Sequence, residues 1–474
     1  MIKHDFNGLS ESYRQLRDVE ANDFGIEDIR QHVHRNMRTR KQTLRAQLRV
    51  RKRWEHQREA LHERLFWSPE RMRDWQLGTV SRLVDFAYNY VPFYHRLYKS
   101  VGFETGDIVA WADFEQLPVV TKAMLVEGAG EMCSSLEFGP ETSHIARTSG
   151  SSGLNLTIVQ DDASVDSRVV LNLRQTEIMV GSRLSETDYR YSIYLASERF
   201  TSLAGGYPVL TVSQNCPPEA VARHLALIRP RILYSFPSYL KRLVAVCGDL
   251  SSIGVSCIST NSEASTNAER QAFAEHFGVP VFDEYSSEEF SLIAVQCDLG
   301  RYHLIEDNLY AETAGTDGND CGVLVGTSFA NTHMPFIRYL QGDTVGVDSG
   351  EVVCGCGSRF RVLESFQGRS DQFLVGSGGK KVASDILMGL YDSTLIRDAS
   401  LKEFQIVQRR LDLVAVSLVP VQADSVLDRG LIQEFVAGLH RLLGDVLTVS
   451  VNIVQQLPAG TSHKRRLIIN EMGA

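Results

Sequence analysis

Short apolar runs bounded by turn residues recur through the middle of the chain, at 209–212, 232–235, 255–259, 279–282 and 323–329. Runs of this length, rich in Val and Ile, read as buried strands. Amphipathic stretches lie between some of them. Those at 217–228 and 267–277 predict helices, and 76–90 predicts another that ends before Pro92. The alternation predicts a layered α/β sheet with helices on both faces. After Gly368 the rhythm changes to helix (384–391), strands (403–408 and 413–419), helix (428–443) and strand (448–454), a small α/β unit of about a hundred residues. No internal repeat or low-complexity segment interrupts the pattern.

Upstream, residues 30–73 hold fourteen Lys and Arg against four Glu, so with a net charge of −9 the rest of the chain carries about −19. Glycine is absent there, the first proline is Pro69, and Leu44/Leu48 and Leu61/Leu65 recur at i, i+4. Two readings stand side by side. One is a helical extension packing a narrow apolar seam; the other is a docking surface for something acidic, such as an acyl carrier protein or the phosphates of CoA. Nucleic acid is not the expected partner, because Trp54, Phe66 and Trp67 are too few for a stacking platform. The boundaries follow: a basic helical extension over 1–75, a large domain over 76–367, and a small domain over 368–474 hinged at Gly368-Arg369-Ser370-Asp371.

At 474 residues and 43% hydrophobic, the chain can bury a large core and form two or three domains. No apolar run reaches membrane-spanning length, and Met1-Ile2-Lys3-His4-Asp5 does not open a signal peptide, so a cytoplasmic protein without a membrane partner is expected. Eight cysteines are too few for a disulfide scaffold; in a reducing compartment they are core thiols or metal ligands. The oligomeric state is left open, a homodimer included.

The chemistry begins at Arg147-Thr148-Ser149-Gly150-Ser151-Ser152-Gly153, followed by a strand-like run at 154–160. Glycines let backbone N–H groups close on an anion, and Thr and Ser add donors or reach a magnesium ion. Alone, such a stretch is equally an ordinary surface turn.

Four later segments follow it in order: Tyr285-Ser286-Ser287-Glu288-Glu289, Tyr339-Leu340-Gln341-Gly342-Asp343, Gly368-Arg369-Ser370-Asp371, and Lys464 near the C-terminus. Together these resemble the adenylate-forming superfamily of acyl-CoA synthetases and luciferases, and within it the phenylacetate–CoA ligase branch. Further matches are Val91-Pro92-Phe93-Tyr94, Leu117-Pro118 with Thr121-Lys122, Phe236-Pro237-Ser238, Pro335-Phe336-Ile337-Arg338-Tyr339 and Cys354-Gly355-Cys356-Gly357. The resemblance runs from about residue 67 to about residue 467. It implies the adenylate-forming fold, with a large layered domain and a small mobile C-terminal one. It also implies a ligase that activates a carboxylic acid, expected to be aromatic, with ATP as its acyl-adenylate and passes the acyl group to CoA. Transfer to a carrier protein or an amine is the alternative.

The same resemblance assigns roles. Thr148, Ser149, Gly150, Ser151, Ser152 and Gly153 would hold the β- and γ-phosphates, although the Lys usual in the next position is here Leu154. Tyr285 would stack on adenine, with Ser286 replacing the usual Gly, and Ser262-Glu263 matches an adenine-pocket element. Glu289, or Glu288 beside it, would serve magnesium. Asp343 would accept hydrogen bonds from both ribose hydroxyls. Arg369 would contact the nucleotide, and Lys464, preceded by His463 rather than Gly, would bridge ribose, α-phosphate and substrate carboxylate. Gly205, Gly206 and Tyr207 fall in the region where an acid pocket is expected.

A second constellation is Cys297 and His303, six apart, with the Cys354/Cys356 pair on a Gly-rich turn. Thiolates and imidazole are preferred ligands of zinc, and the resemblance implies a structural zinc here; four unrelated core and turn residues remain the alternative. His303 also opens a His-x3-Asp pattern with Asp307, the mark of some acyltransferases in which His is the general base. A non-catalytic binding protein that kept the fold is the third reading, and the missing Lys in the phosphate loop supports it.

Overall fold

The computed structural model describes residues 41–136, 143–147, 156–194, 199–315, 321–348, 350, 353–369, 373–398, 400–444, 447–457 and 467–472. Helix α1 (Lys41–Arg64) has neither Gly nor Pro and buries Val50, Trp54 and Leu61 on one side. Helix α2 (Pro69–Tyr90) starts at Ser68, whose hydroxyl accepts the Arg71 N–H, with Pro69 in the first turn. It therefore begins seven residues before the apolar periodicity does. Three short helices follow: α3 (Pro92–Lys99), α4 (Trp111–Glu115) and α5 (Lys122–Glu127).

The hairpin β1 (Ser143–Arg147) and β2 (Thr157–Asp161) leads into α6 (Asp162–Val180), capped by Asp161 and ended by Gly181 in the left-handed region. Next come β3 (Arg190–Tyr194), β4 (Arg199–Leu203), β5 (Gly206–Ser213), α7 (Pro218–Ile228), β6 (Ile232–Ser235), α8 (Pro237–Leu243), β7 (Cys257–Thr260), α9 (Asn267–Phe277) and β8 (Val281–Ser287). Strands β9 (Ser291–Gln296), β10 (Tyr302–Leu304), β11 (Leu309–Ala314), β12 (Cys321–Ser328), β13 (Tyr339–Val347) and β14 (Val362–Arg369) complete the large domain.

These strands form one sheet in the order β11-β12-β13-β14-β10-β9-β8-β7-β6-β3-β5-β4. From β8 to β5 the pairing is parallel; from β8 to β11 it is antiparallel. Strand β8 is thus the seam between the two halves. In the parallel half the chain runs from β3 to β5 on one side, then returns to β6 on the other. The order therefore reverses between β3 and β6, and ligands of open α/β sheets bind outside the carboxyl ends of the strands at such a point.

The small sheet, β19 (Thr448–Ile453), β18 (Leu413–Pro420), β17 (Leu401–Arg410) and β20 (Ile468–Asn470), packs α10 (Ser384–Ser393) and α11 (Arg429–Leu443) around its own core, after the short pair β15 (Phe373–Val375) and β16 (Lys381–Ala383). Among the described residues no helix is long and apolar enough to cross a membrane.

Candidate functional site

Three of the separated segments meet at β8. The Tyr285 hydroxyl donates to Asp343 Oδ2 at 2.5 Å, and the Phe366 ring meets the Tyr285 ring edge-on at 4.8 Å. Asp343 stands opposite Arg369 in the β13–β14 ladder, which puts the Arg369 backbone beside the pair. The Asp343 N–H donates to Gln341 Oε1, so the strand turns its carboxylate toward β8. The Arg369 side chain, Ser370, Asp371, Thr148 to Gly153 and Lys464 lie outside the described residues.

Glu289 sits in the β8–β9 turn and lines a cleft with Gln160, Ser164, Arg168, Asn308 and Asn331. The turn is fixed from below: Asn308 Nδ2 donates to the carbonyls of Phe290 and Leu292 at 2.9 and 2.8 Å, and the Tyr339 hydroxyl lies 3.4 Å from Glu289 Oε1. A side chain at Gly326 would overlap the Phe290 ring, so that position has to be glycine for the turn to seat. Glu288 is not among the residues lining this cleft.

Ser262 adopts φ 64° just beyond β7, whose pairing with β8 ends at Thr260 and Asp283, two residues before Tyr285. Glu263 accepts both the N–H and the hydroxyl of Ser238, each at 3.0 Å, which ties two motif segments together at the start of α8. Gly205, Gly206 and Tyr207 are not brought to this site. They form the β4–β5 corner under α1, where Ala204 N–H donates to Gln47 Oε1. Strands β3, β6 and β7 stand between them and β8, a separation of about 19 Å at ordinary strand spacing.

The cysteine constellation does assemble. Cys297, His303, Cys354 and Cys356 bring one ligand atom each to within 4.8 Å of one another. Two knuckles carry it, Cys297 to Gly300 and Cys354 to Gly357. In each, the glycine N–H returns to the first cysteine carbonyl and the glycine has a left-handed φ, 75° and 92°. His303 Nδ1–H donates to the Phe360 carbonyl at 2.8 Å, which leaves Nε2 free to face Cys356 Sγ at 3.3 Å. Such a second bond sets the tautomer of a metal-binding imidazole. The Cys297–Cys354 sulfur separation, 3.9 Å, matches the tetrahedral edge of about 3.8 Å expected for zinc–sulfur bonds of about 2.3 Å. Burial pushes the Cys354 thiol up, but the Cys356 N–H and His303 outweigh it and hold the thiol below the usual cysteine range.

The His-x3-Asp reading is overturned by the same geometry. His303 is committed to Phe360 and the cysteines, and Asp307 is fully buried in a two-pronged pair with Arg174 at 2.6 and 2.9 Å. Neither is available to a substrate hydroxyl or thiol.

The docking reading of the basic segment is weakened over its described part, where Arg45, Lys52 and Arg53 have no ion pair among the described residues but their neighbours do. Arg49 pairs with Asp162 and Asp166, Arg51 with Glu55 and Glu186, Arg58 and His62 with Glu177, and Arg64 with Asp307. Charges spent on α6 and its flanks have little field left for an acidic partner. The segment before residue 41 lies outside the described residues. Sequence reasoning missed α6 and Glu284, both of which matter below.

No known protein-family profile matches the chain. Among curated proteins, the phenylacetate–coenzyme A ligase of Thermus thermophilus is 24% identical over 338 residues, 65% of this chain and 73% of that one. Among solved structures, a 2-hydroxyisobutyryl-CoA ligase in its postadenylation state overlays with a TM-score of 0.67 at 20% identity, over 86% of this chain and 91% of that one. The same enzyme with 2-HIB-AMP and CoA in its thioesterification state gives 0.54 at 21% identity, with 86% and 91% covered. These likenesses establish the fold: a large α/β domain and a small C-terminal sheet, with helices at the N-terminus.

Proposed function

We propose that this chain, a member of the adenylate-forming superfamily by its fold and its distant similarity to phenylacetate–CoA ligase, is an AMP-forming acid–thiol ligase. It activates a carboxylic acid with ATP as the acyl-adenylate and then transfers the acyl group to CoA. The observation that carries this reading is the meeting of Tyr285 and Asp343 beside the Arg369 backbone, three segments far apart in the chain and joined at the seam strand.

Attack of a carboxylate on the α-phosphate sets two anions together and builds charge on the transferring phosphoryl group, so the site must supply cations and N–H donors. Thr148 to Gly153 would cradle the β- and γ-phosphates through backbone N–H groups, which does not require the Lys replaced by Leu154. Asp343 would exchange its Tyr285 partner for the ribose hydroxyls, freeing the Tyr285 ring to lie against adenine near Ser262, Glu263 and Ser286. Magnesium, held by Glu289 with Glu288 adjacent, would neutralise phosphate charge. Arg369 and Lys464 would complete the site from the small-domain side.

Cys297, His303, Cys354 and Cys356 fit a structural zinc. Four protein ligands leave no open position, so its contribution is to clamp the β9–β10 turn to the loop before β14. The acid is aromatic in this reading, and the stacked rings of Tyr194 and Phe236, at 6.0 Å, stand at the reversal point of the strand order. CoA remains the favoured acceptor over a carrier protein, since Arg49, Arg51, Arg58 and Arg64 of the basic helix are paired within the chain.

The test is acid-dependent exchange of pyrophosphate into ATP across a panel of aromatic and short aliphatic acids, followed by mass-spectrometric detection of the CoA thioester. Folded protein that exchanges with none of them refutes the proposal. Exchange without thioester moves the acceptor to an amine or a carrier protein.

A further inference from the structure

The face of the parallel strands turned toward α6 carries polar side chains where a core is expected. Most are satisfied. Arg190 on β3 donates to Asn172 Oδ1 and the Tyr207 carbonyl, at 3.1 and 3.0 Å, and the Tyr234 hydroxyl on β6 bonds Thr176 Oγ1 at 2.5 Å. Three atoms there are not: Arg190 Nε on β3, Ser259 Oγ on β7 and Glu284 Oε1 on β8 are each buried without a hydrogen-bond partner, with the Ser259 hydroxyl set against the Glu284 carboxyl.

The positions of Ser259 and Glu284 converge. Ser259 is level with Phe282, and Glu284 follows two residues on, so both project from the same face. No cation pairs with Glu284 among the described residues. Burial pushes its carboxyl up to about 7; the nearby Ser259 hydroxyl opposes this, and the Asp283 charge adds to it. A buried carboxylate oxygen left without a donor is unfavourable in ordinary scaffold, where it would be replaced or paired. Glu284 is also one residue before Tyr285, so the strand aims Glu284 and Tyr285 at opposite faces. The remainder of Glu284 is only half-buried, and it is level with the carboxyl end of β7, two strands from the reversal point between β6 and β3.

We propose that Glu284 and Ser259 form the far wall of the acid pocket and recognise a hydrogen-bond donor, a hydroxyl or an amino group, carried by the substrate acid away from its carboxylate. This rests on the adenylation reading for what is done to the acid, but not for its binding. A pocket built around a buried acceptor discriminates strongly against a ligand lacking the donor, because the acceptor is then left unpaired. Glu284 is thus a specificity residue, while activation of the carboxylate belongs to the nucleotide side of β8.

The experiment pairs phenylacetate with its 4-hydroxy and 4-amino derivatives and uses two readouts: direct binding by calorimetry without ATP, and pyrophosphate exchange. Glu284→Leu removes the acceptor at similar volume, and Glu284→Gln retains an acceptor without charge. Wild type is expected to bind a donor-bearing acid at least tenfold more tightly than phenylacetate. Glu284→Leu should lose that preference while keeping its melting temperature, since an orphaned carboxyl has been replaced by an apolar group. Whichever of the 4-hydroxy and 4-amino acids wild type prefers identifies the donor, and Glu284→Gln should keep part of that preference through its amide oxygen.

A preference kept within threefold in Glu284→Leu overturns the proposal, whether or not exchange occurs. Equal binding of all three acids by wild type overturns it as well. Preferential binding that Glu284→Leu abolishes, with no exchange from any acid, upholds the pocket and refutes adenylation.

Discussion

The pair Arg174–Asp307 offers the sharpest test of how the N-terminal helix, α6 and the metal knuckles hold together. Both side chains are 0% exposed, with two parallel bonds at 2.6 and 2.9 Å. Arg174 also donates to the Leu61 carbonyl of α1, and Arg64 lies 3.5 Å from Asp307. Asp307→Asn keeps the shape and deletes the one negative charge between two guanidinium groups. Breaking a buried pair from one side costs about 3–5 kcal/mol, and at about 2 °C per kcal/mol for a large domain the melting temperature should fall by about 6–10 °C. The double change Arg174→Met with Asp307→Leu should recover most of this, because neither charge is then stranded. Urea unfolding followed by tryptophan fluorescence suits the purpose, since Trp54 is wholly buried on α1. Single variants within about 1 kcal/mol of wild type would refute the reasoning. Loss of acyl transfer at unchanged stability in Asp307→Asn would instead revive a catalytic His303–Asp307 pair.

Three further outcomes are expected. Glu177 is pushed up by burial, but hydrogen bonds from His62, Arg58, the Leu184 N–H and Arg183 outweigh this and hold it at about 2 against 4.5 when unfolded. Its stabilisation is therefore complete above pH 4.5 and is lost as pH falls from there toward 2; Glu177→Gln should cost about 1–2 kcal/mol at pH 7 after allowing for screening, and a urea-midpoint gap that does not shrink by about half at pH 3 counts against it. Purified protein should carry about one zinc by elemental analysis, and Cys354→Ser with Cys356→Ser should abolish it and lower the melting temperature; metal-free protein prepared without chelator ends that idea. Lys464→Ala should slow adenylate formation by about 10² to 10³ with ATP affinity nearly intact, and exchange within a few-fold of wild type removes the lysine from the mechanism.

Much of the fold was legible where local signals agree. The helix at 267–277 is bounded by a reciprocal Thr266/Glu269 cap and by Gly278 in the left-handed region, and its observed limits match the periodicity. The strand at 232–235 is an apolar run buried on both faces, and it too falls where expected. Helix α6 left no comparable trace. Arg174, Gln175, Thr176 and Glu177 are all buried on it, so its inward face does not read as an apolar stripe. Arg174, Thr176 and Glu177 are polar because α1, the sheet and Asp307 supply their partners, and those partners sit 58 to 133 residues away. Part of the charge on α1, that of Arg49, Arg58 and His62, and the polar inward face of α6 are therefore one feature seen twice. Of the candidate site, the order of the motifs was visible, and so was the metal set. The Glu284 carboxyl was visible as a charge in a strand pattern, but its isolation depends on what the neighbouring strands fail to provide.

That isolation separates scaffold from site throughout the large domain. Asp307 and Glu177 face guanidinium groups from α1 and α6; Glu306 is held by Arg361 and Glu312 by Arg338. Asp283, on the same strand as Glu284 but the opposite face, is bonded by Thr260 and by Tyr302 at 2.7 Å, with Arg270 at 3.9 Å. Each of these carboxylates has a partner inside the protein, although burial still holds Asp283 and Glu312 above the usual carboxylate range. Asp343 and Glu284 break this rule on the two faces of the β8 region. Among the described residues Asp343 has a tyrosine hydroxyl and no cation, and Glu284 Oε1 has no hydrogen-bond partner and no cation. On the proposed reading, a ligand that brings donors to both, ribose hydroxyls at one and a substituent of the acid at the other, would complete this pair at the seam. On that argument the strand that joins the parallel and antiparallel halves also couples the nucleotide to the acid it activates.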